Sequence, residues 1–89
     1  SGAAANKVGQ KLKQVSQDRQ VLCITHLAQI ASLADHHLLI AKHIEKDRTF
    51  TQVTPLDFEG RKREVARIIG GEAVTQLQLE MAEEMLKKA

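Results

Sequence analysis

Aromatic residues are nearly absent: two Phe, no Trp and no Tyr among 89 residues. A core without large rings has to be aliphatic, built from Leu, Ile, Val, Ala and Met. In a domain this small such a core yields only a few kcal/mol of net stability. The single cysteine, Cys23, excludes an internal disulfide. Its apolar neighbours predict a buried, inert thiol in a reducing, cytosolic setting. The formal charge of +2 is too small to mark a nucleic-acid surface by itself. No apolar run approaches the roughly 20 residues of a membrane helix, and no secretory signal pattern is present, so no membrane partner is expected. An initiator Met is also missing. The chain reads as a piece of a longer protein, with Ser1-Gly2 either native or a tag remnant.

What is present is well ordered by periodicity. Ala5, Val8, Leu12 and Val15 fall at helical spacing and predict a helix over 3–16, weakened by about 1 kcal/mol at Gly9 relative to Ala. After the polar run 16–20, Val21-Leu22-Cys23-Ile24-Thr25 is continuously apolar without alternation, the pattern of a strand buried on both faces of a parallel sheet. His26 follows at once. Leu27, Ile30, Ala31 and Ala34 then predict two turns of helix. Strands are expected over 37–44 and 49–54, joined by the charged tip Glu45-Lys46-Asp47-Arg48 and closed by Pro55. The second is β-branched and half polar, which suits an exposed edge.

A helix over 57–69 carries Phe58, Val65, Ile68 and Ile69 on its apolar side, and Gly70-Gly71 stops it. A last helix carries Val74, Leu77, Met81, Met85 and Leu86. Thr75 and Gln78 have capping-box spacing and place its regular start as late as Thr75. The order is helix, buried strand, helix, β-hairpin and two C-terminal helices. A strand buried on both faces needs parallel neighbours, and this chain offers none. The expectation is an α/β fold in which 1–89 forms the C-terminal part of a larger domain.

Ligands of open α/β sheets collect at the carboxyl ends of strands. His26 stands at such an end, where an imidazole can bond an anionic oxygen or orient a water at neutral pH. The alternative is a histidine satisfied by backbone groups at a strand–helix junction, and spacing alone does not choose. His37 and His43 would share a strand face but lie about 20 Å apart. His36 points the other way, and no Cys pair accompanies them, so no metal site is expected. Arg61, Lys62, Arg63 and Arg67, interrupted by Glu64, read as a solvated helix face with local Arg–Glu pairs rather than a phosphate-contacting surface. Met81 and Met85 suit core packing or a subunit contact.

VLCITHLAQIASLADHHLLIAK resembles the segment around the switch histidine of ATP-binding-cassette ATPases of the SMC-like RecN family. There an apolar strand ends in Thr-His, followed by Leu, a small residue or Pro, and Gln. The corresponding positions are Thr25, His26, Leu27, Ala28 and Gln29. REVARIIGGEAVTQLQLEMAEEML is similar to that family's C-terminus, and the two segments cover nearly the whole chain. The resemblance implies the C-terminal part of an ATPase head, with His26 the catalytic, ATP-binding histidine reaching the γ-phosphate and the attacking water. It places Ser1-Gly2 at the tail of the loop after the Walker B strand. It implies a parent that hydrolyses ATP with Mg²⁺, dimerises head to head, engages DNA and acts in recombinational repair of double-strand breaks. That parent would be cytoplasmic and nucleoid-associated.

The departures are equally specific. No GxxxxGK[ST] occurs, and the Walker B carboxylates, the signature motif and the coiled coil are missing. A lone histidine cannot position the phosphates and Mg²⁺, so the isolated segment is expected to bind no cofactor tightly and to be inactive, and it is expected to self-associate. Two other readings stand beside this one. One is a non-catalytic interaction module using the hairpin and last helix; the other is the same head segment of a different SMC-like or transporter ATPase.

Overall fold

The computed structural model describes residues 2–89, so the expectation for Ser1 lies outside the described residues. Helix α1 (Gly2–Val15) leads to a single helical turn, α2 (Ala28–Ala31). Strands β1 (Leu38–Glu45) and β2 (Arg48–Pro55) follow, then helices α3 (Phe58–Gly70) and α4 (Gln76–Lys88). Among the described residues, four helices and a two-stranded antiparallel hairpin fit the α/β class.

The C-terminal helices form the core, and their ends are specified locally. The Asp57 carboxylate caps α3 by accepting the Gly60 N–H at 2.7 Å. Gly71, at φ 75°, ends that helix and gives its N–H to the Arg67 carbonyl at 2.7 Å. Helix α4 opens with the expected capping box. The Thr75 hydroxyl accepts the Gln78 N–H at 3.2 Å, while the Gln78 amide oxygen accepts the Thr75 N–H at 2.9 Å. Val65 and Ala66 of α3 pack with Ala82 and Leu86 of α4, and Ala28 of α2 joins them. Ile68, Ile69, Leu79 and Met85 lie around this cluster, while Met81 stays largely exposed.

Helix α1 packs on α2 through its small residues Ala5 and Gly9, both buried. The hairpin pairs Leu38 with Pro55 and Glu45 with Arg48 in unbroken register. Its two-residue tip places Lys46 and Asp47 at φ 51° and 63°, the left-handed conformation that the strand twist demands there. Each costs roughly 1–2 kcal/mol relative to Gly at such a position. Both strands are exposed nearly throughout, as expected for the second.

Three expectations are corrected. Residues 21–25 form no strand, because the other strands of the chain pair with each other and leave this segment no ladder partner among the described residues. An apolar run becomes a strand only when a neighbouring backbone supplies its hydrogen bonds. Leu22 and Ile24 are consequently 85% and 89% exposed. For the same reason Cys23 is exposed rather than buried. Finally, the helix after His26 stops at Ala31 rather than Ala34. Leu33 and Ala34 donate to the carbonyls three residues back, Ile30 and Ala31, so the last turn tightens and ends.

Candidate functional site

His26 sits at the corner between the apolar segment 21–25 and the turn of α2. The corner is shaped locally. The Thr25 hydroxyl accepts the Leu27 N–H at 3.0 Å, and the Leu27 carbonyl accepts the N–H groups of Ile30 and Ala31 at 3.1 and 3.0 Å. Leu27 itself is extended, at φ −111° and ψ 125°. The chain therefore passes from extended backbone into helix within one residue of His26. The imidazole is exposed and makes no hydrogen bond among the described residues. Both ring nitrogens are free to meet an oxyanion or a water.

Behind that corner, two cations from distant helices grip the end of the α2 turn. Lys13 of α1 donates to the Leu33 carbonyl at 3.1 Å and ion-pairs with Asp35. Arg61 of α3 donates to the Ala34 carbonyl at 2.8 Å. These carbonyls lie one and two residues past Ser32, the C-cap of the turn, close to its negative end, where positive charge is favoured. The hydrogen bond and charge of Lys13 hold the Asp35 carboxyl below its ordinary range. No sequence spacing announced this arrangement, because Lys13 and Arg61 lie 20 and 27 residues from the carbonyls they hold.

The other histidines do not join His26. His36 is exposed. The backbone carbonyl of His37 accepts the Leu56 N–H at 3.0 Å and closes the base of the hairpin. Its side chain is half-buried, and Nδ1 is buried without a partner, as is Nε of Arg61. Burial first, and then the Arg61 charge, push the His37 pKa down, with Glu64 opposing. His43 stacks on Phe50 across the hairpin, ring centroids 5.4 Å apart. Among the described residues no three His, Cys, Asp or Glu side chains converge as a metal site.

The basic patch resolves largely into ion pairs. Arg67 donates through Nε to both Glu64 oxygens, at 3.0 and 3.1 Å. Lys62 bridges Glu59 at 2.9 Å and Glu83 at 3.3 Å, which ties α3 to α4. Arg63 makes no ion pair among the described residues and lines an open cleft of about 330 Å³ with Leu39, Leu56, Val74 and Glu72. His26 is not part of that cleft.

No family model matches the chain. Curated relatives do. The DNA repair protein RecN of Bacillus subtilis is 46% identical over 89 residues, all of this chain and 16% of the relative. RecN of Vibrio cholerae is 42% identical over 86 residues, covering 97% of this chain and 16% of the relative. RecN of Rickettsia prowazekii is 42% identical over 85 residues, with 96% and 15% covered. The chain thus spans about 16% of the length of the relatives it matches. Similarity at this level along the whole chain means that the chain belongs to the RecN family of DNA repair proteins as a segment of it.

Proposed function

We propose that this segment serves the ATPase head of an SMC-like protein of recombinational double-strand-break repair, and that His26 is its switch histidine. In this reading His26 hydrogen-bonds the γ-phosphate of ATP and orients the attacking water, and Mg²⁺ and the phosphate loop come from elsewhere in the parent. Heads pair around nucleotide, and DNA is engaged by the full-length protein. The observation that carries the reading is the corner itself. An exposed imidazole without a hydrogen bond among the described residues stands where an apolar segment, extended at Leu27, turns into helix. An anion at that position would meet an imidazole N–H donor.

The test is His26→Ala in the full-length protein. Losing one aligned polar group from a water-poor site lowers kcat by roughly 10²-fold or more. ATP binding falls much less, since most ground-state contacts belong to the phosphate loop. An exposed imidazole with no part in the reaction would instead leave both turnover and stability nearly unchanged on removal. Normal turnover in His26→Ala, with His36→Ala as control, overturns the assignment. The 89-residue chain alone should show no micromolar ATP binding by calorimetry. Saturable binding would place a phosphate site within these residues.

A second reading draws on the hairpin. Leu38, Ile40, Ile44 and Val53 are all exposed, and the register puts Ile40 beside Val53 on one face. Such a face suits a non-catalytic docking module. It predicts that Ile40→Lys abolishes repair activity in cells while leaving turnover of the full-length protein intact.

A further inference from the structure

We infer that Lys13 is a positioning residue for His26: by holding the carbonyl end of the α2 turn it fixes the direction in which the corner presents the imidazole. The inference rests on the reading of His26 given above.

The geometry has three parts. First, α2 is only four residues long and has no side-chain hydrogen bond at its N-cap, so its orientation is set by the packing of Ala28 in the core and by the groups that bond to its ends. Second, its far end is fixed from outside. Lys13 holds the Leu33 carbonyl and pairs with Asp35, and Arg61 holds the Ala34 carbonyl from the opposite helix. Third, the near side is pressed against α1 at Gly9, where even a Cβ would lie 3.3 Å from the Gln29 carbonyl oxygen. His26 is joined to this clamped turn through Leu27 alone, whose carbonyl bonds to Ile30 and Ala31. A tilt of the turn is therefore a displacement of His26. The Lys13 side chain is two-thirds shielded from solvent, its stem lying along the protein while its ammonium reaches the Leu33 carbonyl and Asp35.

Removing Lys13 should change how well His26 is aimed without changing how ATP is held. Lys13→Met keeps the aliphatic stem and deletes the donor. In the full-length protein it should lower kcat about tenfold, on the scale of a small misplacement of a reacting group. KM for ATP should stay within about twofold. Lys13→Arg, which can still reach both oxygens, should restore most of the turnover. The decisive measurement is the same substitution in a His26→Ala background, where Lys13→Met should have no further effect.

If Lys13→Met lowers turnover equally with and without His26, its role is general stability and the inference fails. If His26→Ala is slow while Lys13→Met has normal kcat, the inference alone fails and the assignment of His26 stands. If His26→Ala turns over normally, both fail together.

Discussion

Gly9 of α1 faces the backbone of Gln29 in α2 so closely that a Cβ there would lie 3.3 Å from the Gln29 carbonyl oxygen and 2.7 Å from Leu33 Cδ1. Read along the chain, Gly9 looked like a weak point in a helix. In three dimensions it is the contact that lets α1 and α2 touch. Gly9→Ala gains about 1 kcal/mol of helix propensity. It must also displace Leu33 and press on a fixed carbonyl, an overpacking cost of roughly 1–3 kcal/mol. Urea denaturation should show a net loss near 1 kcal/mol. A more stable variant would mean that the α1–α2 contact is loose.

The capping box of α4 should be measurable separately from its packing. Thr75→Ala removes the acceptor of the Gln78 N–H and should cost about 1 kcal/mol, with Thr75→Ser recovering most of it. Equal thermal stability of Thr75→Ala and wild type would show that α4 begins elsewhere.

Stability should fall on mild acidification because of His37. Its folded pKa lies below the ordinary 6.5, so between those values the unfolded chain holds a proton that the folded chain refuses. This contribution is complete above the unfolded pKa and is lost as pH drops through 6.5 toward the folded value. Glu83 and Glu84, held low by their lysine partners, add a loss of the same sign only below 4.5. Urea midpoints taken between about pH 5 and pH 7.5 should rise with pH, and His37→Gln should flatten that rise. A slope unchanged in His37→Gln would assign it to another group.

Segment 21–25 should make the isolated chain self-associate, since Leu22 and Ile24 stand almost fully in solvent. Sedimentation at high concentration should show dimers or larger species, and Leu22→Lys with Ile24→Lys should return a monomer. A monomeric wild type over the same range would count against any sticky edge.

These cases separate what was legible in the sequence from what was not. Local rules read well: Thr75 and Gln78 gave the start of α4, Gly70-Gly71 the end of α3, and the charged tip Glu45-Lys46-Asp47-Arg48 before a β-branched run the hairpin. Each depends on residues a few positions apart. The buried strand at 21–25 failed because its composition specifies an environment, neighbouring strands on both sides, that these residues do not supply. The overlong helix after His26 failed because Leu33 and Ala34 satisfy the periodicity while their N–H groups bond three residues back. At the candidate site the start of helix soon after His26 was legible, while the strand end expected to carry His26 was not found. The grip of Lys13 and Arg61 was not, since contacts across 20 or more residues leave no periodic trace.

The hairpin divides the molecule into two regimes of opening. Its strands are bonded to each other, exposed nearly throughout, and closed at the base by the His37–Leu56 hydrogen bond, whereas Val65 is sealed in the α3–α4 core. Two strands with no covering layer are marginal by themselves. Amides of the hydrogen-bonded pairs, such as that of Leu39 opposite Thr54, should therefore exchange with deuterium through small local fluctuations that low urea does not accelerate. The Val65 amide should exchange only through events that expose the whole core, and so respond steeply to urea. Parallel urea responses at the two sites would instead make strands and helices one cooperative unit.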